Sequence, residues 1–145
     1  MPEVPISRID ADAVIPSYAR PGDAGADLFA AEDVTLAHSG GRALVRTGWA
    51  LAIPEGFAGL VLPRSGLALN HGVTCLNTPG LIDSGYRGEV KVLLVNTDPA
   101  SDYVVRRGDR VAQLVIAPVE QVRFLPMAVL PESERGSGGF GHSGR

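Results

Sequence analysis

Apolar and polar positions alternate along this chain in short runs. Val, Ile and Leu recur with a partial period of two in ADLFA (26–30), ALVRTGWALAI (43–53) and FAGLVLP (57–63). The same pattern marks VKVLLVN (90–96), RVAQLVIAPV (110–119) and VRFLPMAVL (122–130). A period of two puts one face of an extended strand into a core. Turn-forming stretches separate the runs: IPEGF (53–57), NTDPAS (96–101) and RRGD (106–109). The pattern predicts an all-β domain: a sandwich, jelly roll or barrel. Only PRSGLALNHG (63–72) departs from it. Pro63 followed by Ser65, an apolar GLAL and then Asn-His-Gly predicts a start, one short helix and a glycine stop.

Composition sharpens this picture. With 18 Gly and 11 Pro in 145 residues, the chain is punctuated too often for long helices. Hydrophobic residues at 45% and charged residues at 20% are an ordinary globular mix, and the length fits one domain with a real core. A net charge of -3 does not suggest a generic nucleic-acid-binding surface. No apolar run is long enough for a membrane helix, and MPEVPISRIDAD shows no signal-peptide pattern. Cys75 is the single cysteine, so neither a disulfide framework nor a cysteine zinc site is expected, and a reducing cytoplasm is the expected compartment. His38, His71 and His142 stand at no ligand spacing.

Five patches carry potential chemistry, each with a plain alternative. Asp23 and Asp27 in PGDAGADLFA (21–30) read as turn hydrogen-bonders or as carboxylates near a hard cation. Arg64, Ser65 and Gly66 open the helix, either as an ordinary capped turn or as a phosphate cradle of guanidinium, hydroxyl and free amides. LNTPGLIDSGYRGEV (76–90) carries Asp83 and Tyr86 between two hairpin arms, with Asn77 at the base. Such a hairpin is either a glycine-rich turn or a slot for a flat base. In RRGDRVAQLVI (106–116), Asp109 and Arg110 are expected to pair, and Gln113 is an outward strand position or a ligand contact. PESERGSGGFGHSGR (131–145) holds five glycines and three serines around Phe140. It reads as a mobile tail, although a lone exposed ring is odd there.

In this order and spacing, DAGADL, PRSGLA, NTPGLIDSGYRGE, RGDRVAQL and RGSGGFG resemble the trimeric dUTP diphosphatase (dUTPase) family, from about residue 21 to 142. The resemblance implies a distorted jelly-roll β-barrel over residues 1–130, with one short helix after Pro63. It implies a homotrimer whose active sites are shared between subunits, and a 131–145 arm that closes over a neighbour's site. The implied reaction is Mg2+-dependent hydrolysis of dUTP to dUMP and pyrophosphate, which keeps uracil out of DNA and supplies dUMP for thymidylate synthesis. Asp83 matches the general base. Asn77, Leu81, Ile82 and Asp83 would read uracil, and Tyr86 would lie on the deoxyribose. Arg64, Ser65, Gly66 and Gln113 would hold the triphosphate from a second chain. Arg135 and Ser137 would clamp it from a third, with Phe140 stacked over the base. Asp27 would reach Mg2+ through a water. Lys91 is either a substrate contact or a solvated strand lysine, and Cys75 reads as a small buried hydrophobe.

Two rivals remain. The dCTP deaminases share a related fold, but their catalytic Glu falls seven residues beyond the aromatic that Tyr86 matches, where this chain has Leu93. A trimeric binding module without turnover would be expected to have lost Asp83, Arg64 or the tail arginine, and all are present.

Overall fold

The computed structural model describes residues 2–141. It contains ten strands and one helix: β1 (Ile6–Arg8), β2 (Ala26–Phe29), β3 (Val34–Leu36), β4 (Arg42–Leu51), β5 (Phe57–Leu62), α1 (Ser65–His71), β6 (Val73–Cys75), β7 (Gly80–Ile82), β8 (Glu89–Asn96), β9 (Tyr103–Val105) and β10 (Arg110–Pro118). One sheet runs β1-β4-β8-β6, a second β2-β10-β5-β7, and β3 pairs with β9 in a ribbon. All pairings are antiparallel. Among the described residues no helix is long and apolar enough to cross a membrane.

Alternation decides which face goes in. Along β8, Val90, Val92 and Leu94 are buried while Lys91 points outward. These join Val45 of β4 and, from the second sheet, Leu28, Val61 and Val111 in one apolar cluster. Two faces that each need burial solve the problem by stacking on one another. The expected all-β jelly-roll class is present, but the barrel is not closed. The sheets end in separate edges, β1 and β6 on one and β2 and β7 on the other, and three of these strands have three residues and β2 four. Edges so short satisfy the core by face-to-face contact and offer little ladder for joining one sheet to the other.

The helix forms as the sequence predicts. Gly72 closes it in the left-handed conformation (φ 63°), and its N–H returns to the Ala68 carbonyl at 3.1 Å. Arg64 occupies the N-cap and makes no side-chain capping bond. The two arms expected around Asp83 do pair, with β6 on β8 and Cys75 opposite Leu94. The intervening chain is not a tight hairpin, however. It crosses to the other sheet, where β7 pairs with β5 and Ile82 stands opposite Gly59. A Cβ at Gly59 would come within 2.8 Å of the Ile53 side chain and 3.2 Å of Ile82, so this crossing depends on a bare backbone there.

Residues 122–130, expected as a strand, have no regular structure. Phe124 is 87% exposed, and Leu125, Met127, Val129 and Leu130 are exposed with it. A strand-like composition makes a strand only where a neighbour supplies the ladder, and no edge of this chain receives the segment. Pro126 removes one of its donors, and Pro131 follows directly after it.

Asn96 fastens the ribbon to the sheets. It is wholly buried at the end of β8. Its amide donates to the Leu36 carbonyl at 3.1 Å and the Ser101 carbonyl at 2.9 Å, and its oxygen accepts from the Asp98 N–H at 2.9 Å. Asn96→Ala would strand three backbone groups and is expected to cost about 3 kcal/mol. Denaturant unfolding at fixed protein concentration checks this; a loss below about 0.5 kcal/mol would show that water replaces the amide.

Candidate active site

The structure places most candidate residues in two cavities and an arm, while Asn77, Ser65 and Gly66 line neither cavity. The first cavity, ≈ 320 Å³, gathers Leu81, Ile82, Asp83, Tyr86 and Lys91 beside Leu44, Glu89 and Val90. Asp83 is exposed and follows the last residue of β7, and its carbonyl accepts the Tyr86 N–H at 3.1 Å. Ile82 is buried under the sheet while Leu81 faces out, as alternation requires. Because β7 is the last strand of its sheet, only one of its edges pairs with another strand among the described residues. Asn77 is exposed near the entry to β7, its side-chain nitrogen 3.4 Å from where a Gly80 Cβ would stand.

Glu89 is a wall of this cavity that sequence reasoning missed. Its carboxylate receives Arg46 Nε at 3.1 Å on both oxygens and the Gly48 N–H at 2.9 Å. The hydrogen bond to Glu89 and its charge raise the Arg46 pKa above its ordinary value. Arg46 lies 43 residues earlier in the chain, on the neighbouring strand. Only the β4–β8 register reveals the pair.

The second cavity, ≈ 240 Å³, brings Asp23 and Asp27 together with Gly25, Arg64, Arg110 and Gln113. The register explains the meeting. On β10, Gln113 faces Asp27 of β2 on one side and Leu62 of β5 on the other, and Arg64 follows two residues beyond Leu62. Asp27 is buried and lies between two guanidiniums, Arg64 Nε at 3.7 Å and Arg110 Nη1 at 3.4 Å. Arg64 Nη1 also donates to the Arg110 carbonyl at 3.1 Å, whereas Arg64 Nε is buried without a hydrogen bond. Arg110 therefore does not pair with Asp109 as expected. Asp109 instead accepts the Arg106 N–H at 2.8 Å and closes its own turn, which leaves Arg110 to balance the buried Asp27 charge. Asp23 does turn work, accepting the Arg20 N–H at 2.8 Å. Ser65 and Gly66 are exposed at the start of α1, and a Cβ on Gly66 would meet nothing within 4 Å.

Arg135, Ser137 and Phe140 line neither cavity. Arg135 Nε donates to the Gly138 carbonyl at 2.8 Å, and Phe140 is fully exposed. His142 lies outside the described residues. Cys75 is buried, and burial pushes its thiol up to about 11, as befits a small hydrophobe. Among the described residues no group of three or more His, Cys, Asp or Glu could hold a metal.

The two cavities stand at opposite ends of β5. Asp83 follows Ile82, which faces Gly59, whereas Arg64 lies beyond Leu62. At about 3.4 Å per strand residue, Asp83 and Arg64 of one chain are separated by roughly 20 Å.

A family model described as dUTPase matches residues 11–144. The chain is 57% identical over 141 residues to the deoxyuridine 5'-triphosphate nucleotidohydrolase of Thermobifida fusca, covering 97% of this chain and 78% of that one. It is 54% identical over 144 residues to the enzyme of the same name from Mycobacterium tuberculosis, covering 96% and 93%. Among solved structures it is similar to a mutant Staphylococcus bacteriophage 80alpha dUTPase with dUpNHpp, at TM-score 0.92 and 27% identity over 100% of both chains. A mutant dUTPase of S. aureus phage phi11, described with a structural Mg(II) ion, matches at TM-score 0.83 and 26% identity over 90% of this chain and 100% of that one.

Proposed function

Because this chain belongs to the dUTPase family, we propose that it hydrolyses dUTP to dUMP and pyrophosphate in the cytoplasm, keeping uracil out of DNA and supplying dUMP. The observation that carries this reading is the first cavity, where an exposed carboxylate and an aromatic ring meet residues of an edge strand. Asp83 acts as general base: it orients a water, takes its proton and directs the oxygen at the α-phosphorus, and pyrophosphate leaves. Its place at the end of a paired strand supplies the orientation such a base needs.

The unpaired edge of β7 suits uracil. Backbone N–H and C=O groups near Leu81, Ile82 and Asp83, with the Asn77 amide, can match the donor and acceptor edge of the base. Cytosine presents a donor where uracil presents an acceptor, and the unmatched buried group penalises it strongly. Tyr86 walls the sugar and leaves no room for a 2'-hydroxyl.

The separation of Asp83 from Arg64 supports a shared site. Reacting groups must approach to about 3–3.5 Å, which one chain cannot arrange across β5. Arg64, Ser65, Gly66 and Gln113 therefore serve a triphosphate whose base lies on a neighbouring subunit. We infer a homotrimer in which Arg135 and Ser137 of a third chain clamp the phosphates and Phe140 stacks on uracil. In this reading residues 1–130 are the body and 131–145 the closing arm. Lys91, exposed on the cavity rim, adds a cation near the substrate.

Mg2+ fits this site only as an ion that arrives with the triphosphate. Asp27 is the carboxylate nearest the phosphate residues, yet it is buried and already faces two guanidiniums, so contact through a water is what it can offer. When bound, the ion neutralises phosphate charge and orients the chain of phosphates.

Pyrophosphate and ammonia release should be measured with dUTP, dCTP, dTTP and UTP in turn, with Mg2+ present. Pyrophosphate from dUTP alone is the expected result; ammonia from dCTP would revive deamination, and silence with retained dUTP binding would mean a binding module. Asp83→Asn is expected to lower kcat at least about a hundredfold with nucleotide affinity retained. Near-normal turnover would remove Asp83 as the base. Truncation before Arg135 should leave the oligomer intact and cripple hydrolysis; sedimentation with a steady-state assay checks both halves.

A further inference from the structure

Gly88 is the seat of the Tyr86 ring. The Tyr86 hydroxyl donates to the Glu89 carbonyl at 3.0 Å, so the side chain folds back along its own loop and passes over residue 88. A Cβ on Gly88 would stand 2.6 Å from Tyr86 Cζ and 3.0 Å from Cε2, with the phenol oxygen nearer still. Gly88 is not among the glycines of positive φ, so its backbone conformation does not demand glycine. Its neighbour in the same loop gives the contrast: a Cβ on Gly85 would meet nothing within 4 Å. The need at position 88 is for empty space under one ring.

The other anchor of the ring is fixed too. Glu89 stands opposite Ala50 in the β4–β8 register, and Arg46 and the Gly48 N–H hold its carboxylate. The carbonyl that accepts the Tyr86 hydroxyl therefore belongs to a residue tied to the sheet. The Tyr86 side chain itself is half exposed. If the seat were filled, the ring would swing, because a free side-chain end yields before a paired backbone does.

We propose that Gly88 is a positioning residue for sugar selectivity: its missing side chain lets Tyr86 lie flat against the loop, where the ring forms a fixed wall of the Asp83 cavity. This rests on the reading above, in which Tyr86 faces the deoxyribose. Gly88→Ala displaces the ring, breaks its hydrogen bond to the Glu89 carbonyl and opens room for a 2'-hydroxyl.

The test compares kcat/KM for dUTP and UTP, read as pyrophosphate release, in the full-length protein and in Gly88→Ala, Tyr86→Leu and the double variant. Gly88→Ala is expected to reduce the dUTP-to-UTP ratio about tenfold or more. The double variant is expected to match Tyr86→Leu, because no phenol remains for the new methyl to displace. A wild-type ratio in Gly88→Ala overturns the proposal, as does a further loss of selectivity in the double variant. If Gly88→Ala does not fold, the Tyr86→Leu pair decides alone, since its cavity has lost the clash. Absence of dUTP hydrolysis by the unaltered protein would overturn the functional reading and this inference with it. A selective parent with an indifferent Gly88→Ala sinks the inference alone.

Discussion

β5 is hydrogen-bonded along both edges, to β10 on one side and β7 on the other, and that double register determines where the chemistry can stand. A residue in a paired strand cannot drift along it without turning every side chain to the wrong face. At one end the register delivers Asp83 through β7. At the other it delivers Gln113 and Asp27 through β10 and β2, and the chain leaves β5 directly into Arg64 and α1. The stiffness that makes each half precise also keeps the halves apart. On the reading proposed above, contacts between subunits would complete the site.

Charge is handled differently in the two halves. Near Asp83 the carboxylate stays in water, and the half-buried carboxylate of Glu89 is matched by Arg46 and a backbone amide. Around Asp27 the carboxylate is buried and two arginines lean on it. Removing one partner of a buried pair costs far more than the pair itself contributes, because the remaining charge is left without solvent. Asp27 thus faces both guanidiniums, and two cations opposite one anion leave a net positive charge in this cavity.

Long alternating runs were legible in the sequence because their hydrophobic period survives any neighbour. β4, β5, β8 and β10 fall close to where Val, Ile and Leu alternate. The helix was legible because Pro63 and Gly72 act within a few residues of themselves. β1, β3, β7 and β9 have three residues each, too few to show a period. They are strands because of what lies beside them. The same cause runs in reverse over 122–130, where the pattern is present and the partner strand is not. Single charges behaved like short strands: Asp109 and Arg110 are adjacent in sequence, yet the bulge in β10 between Arg110 and Ala112 and the nearness of β2 send Arg110 to Asp27. The Arg46–Glu89 pair and the seat of Tyr86 on Gly88 were invisible for that reason as well.

If the site is shared between chains as proposed, the distance between Asp83 and Arg64 has a genetic meaning. When one site draws its base from one polypeptide and its phosphate clamp from another, two alleles that are each inactive need not fail together. A subunit lacking the carboxylate still offers its arginine to a neighbour, and a subunit lacking the arginine still offers its carboxylate. Mixed assemblies then contain some junctions with both intact parts. Loss of function in such a protein is a property of combinations of chains, and complementation between two damaged copies of a single gene becomes possible without recombination.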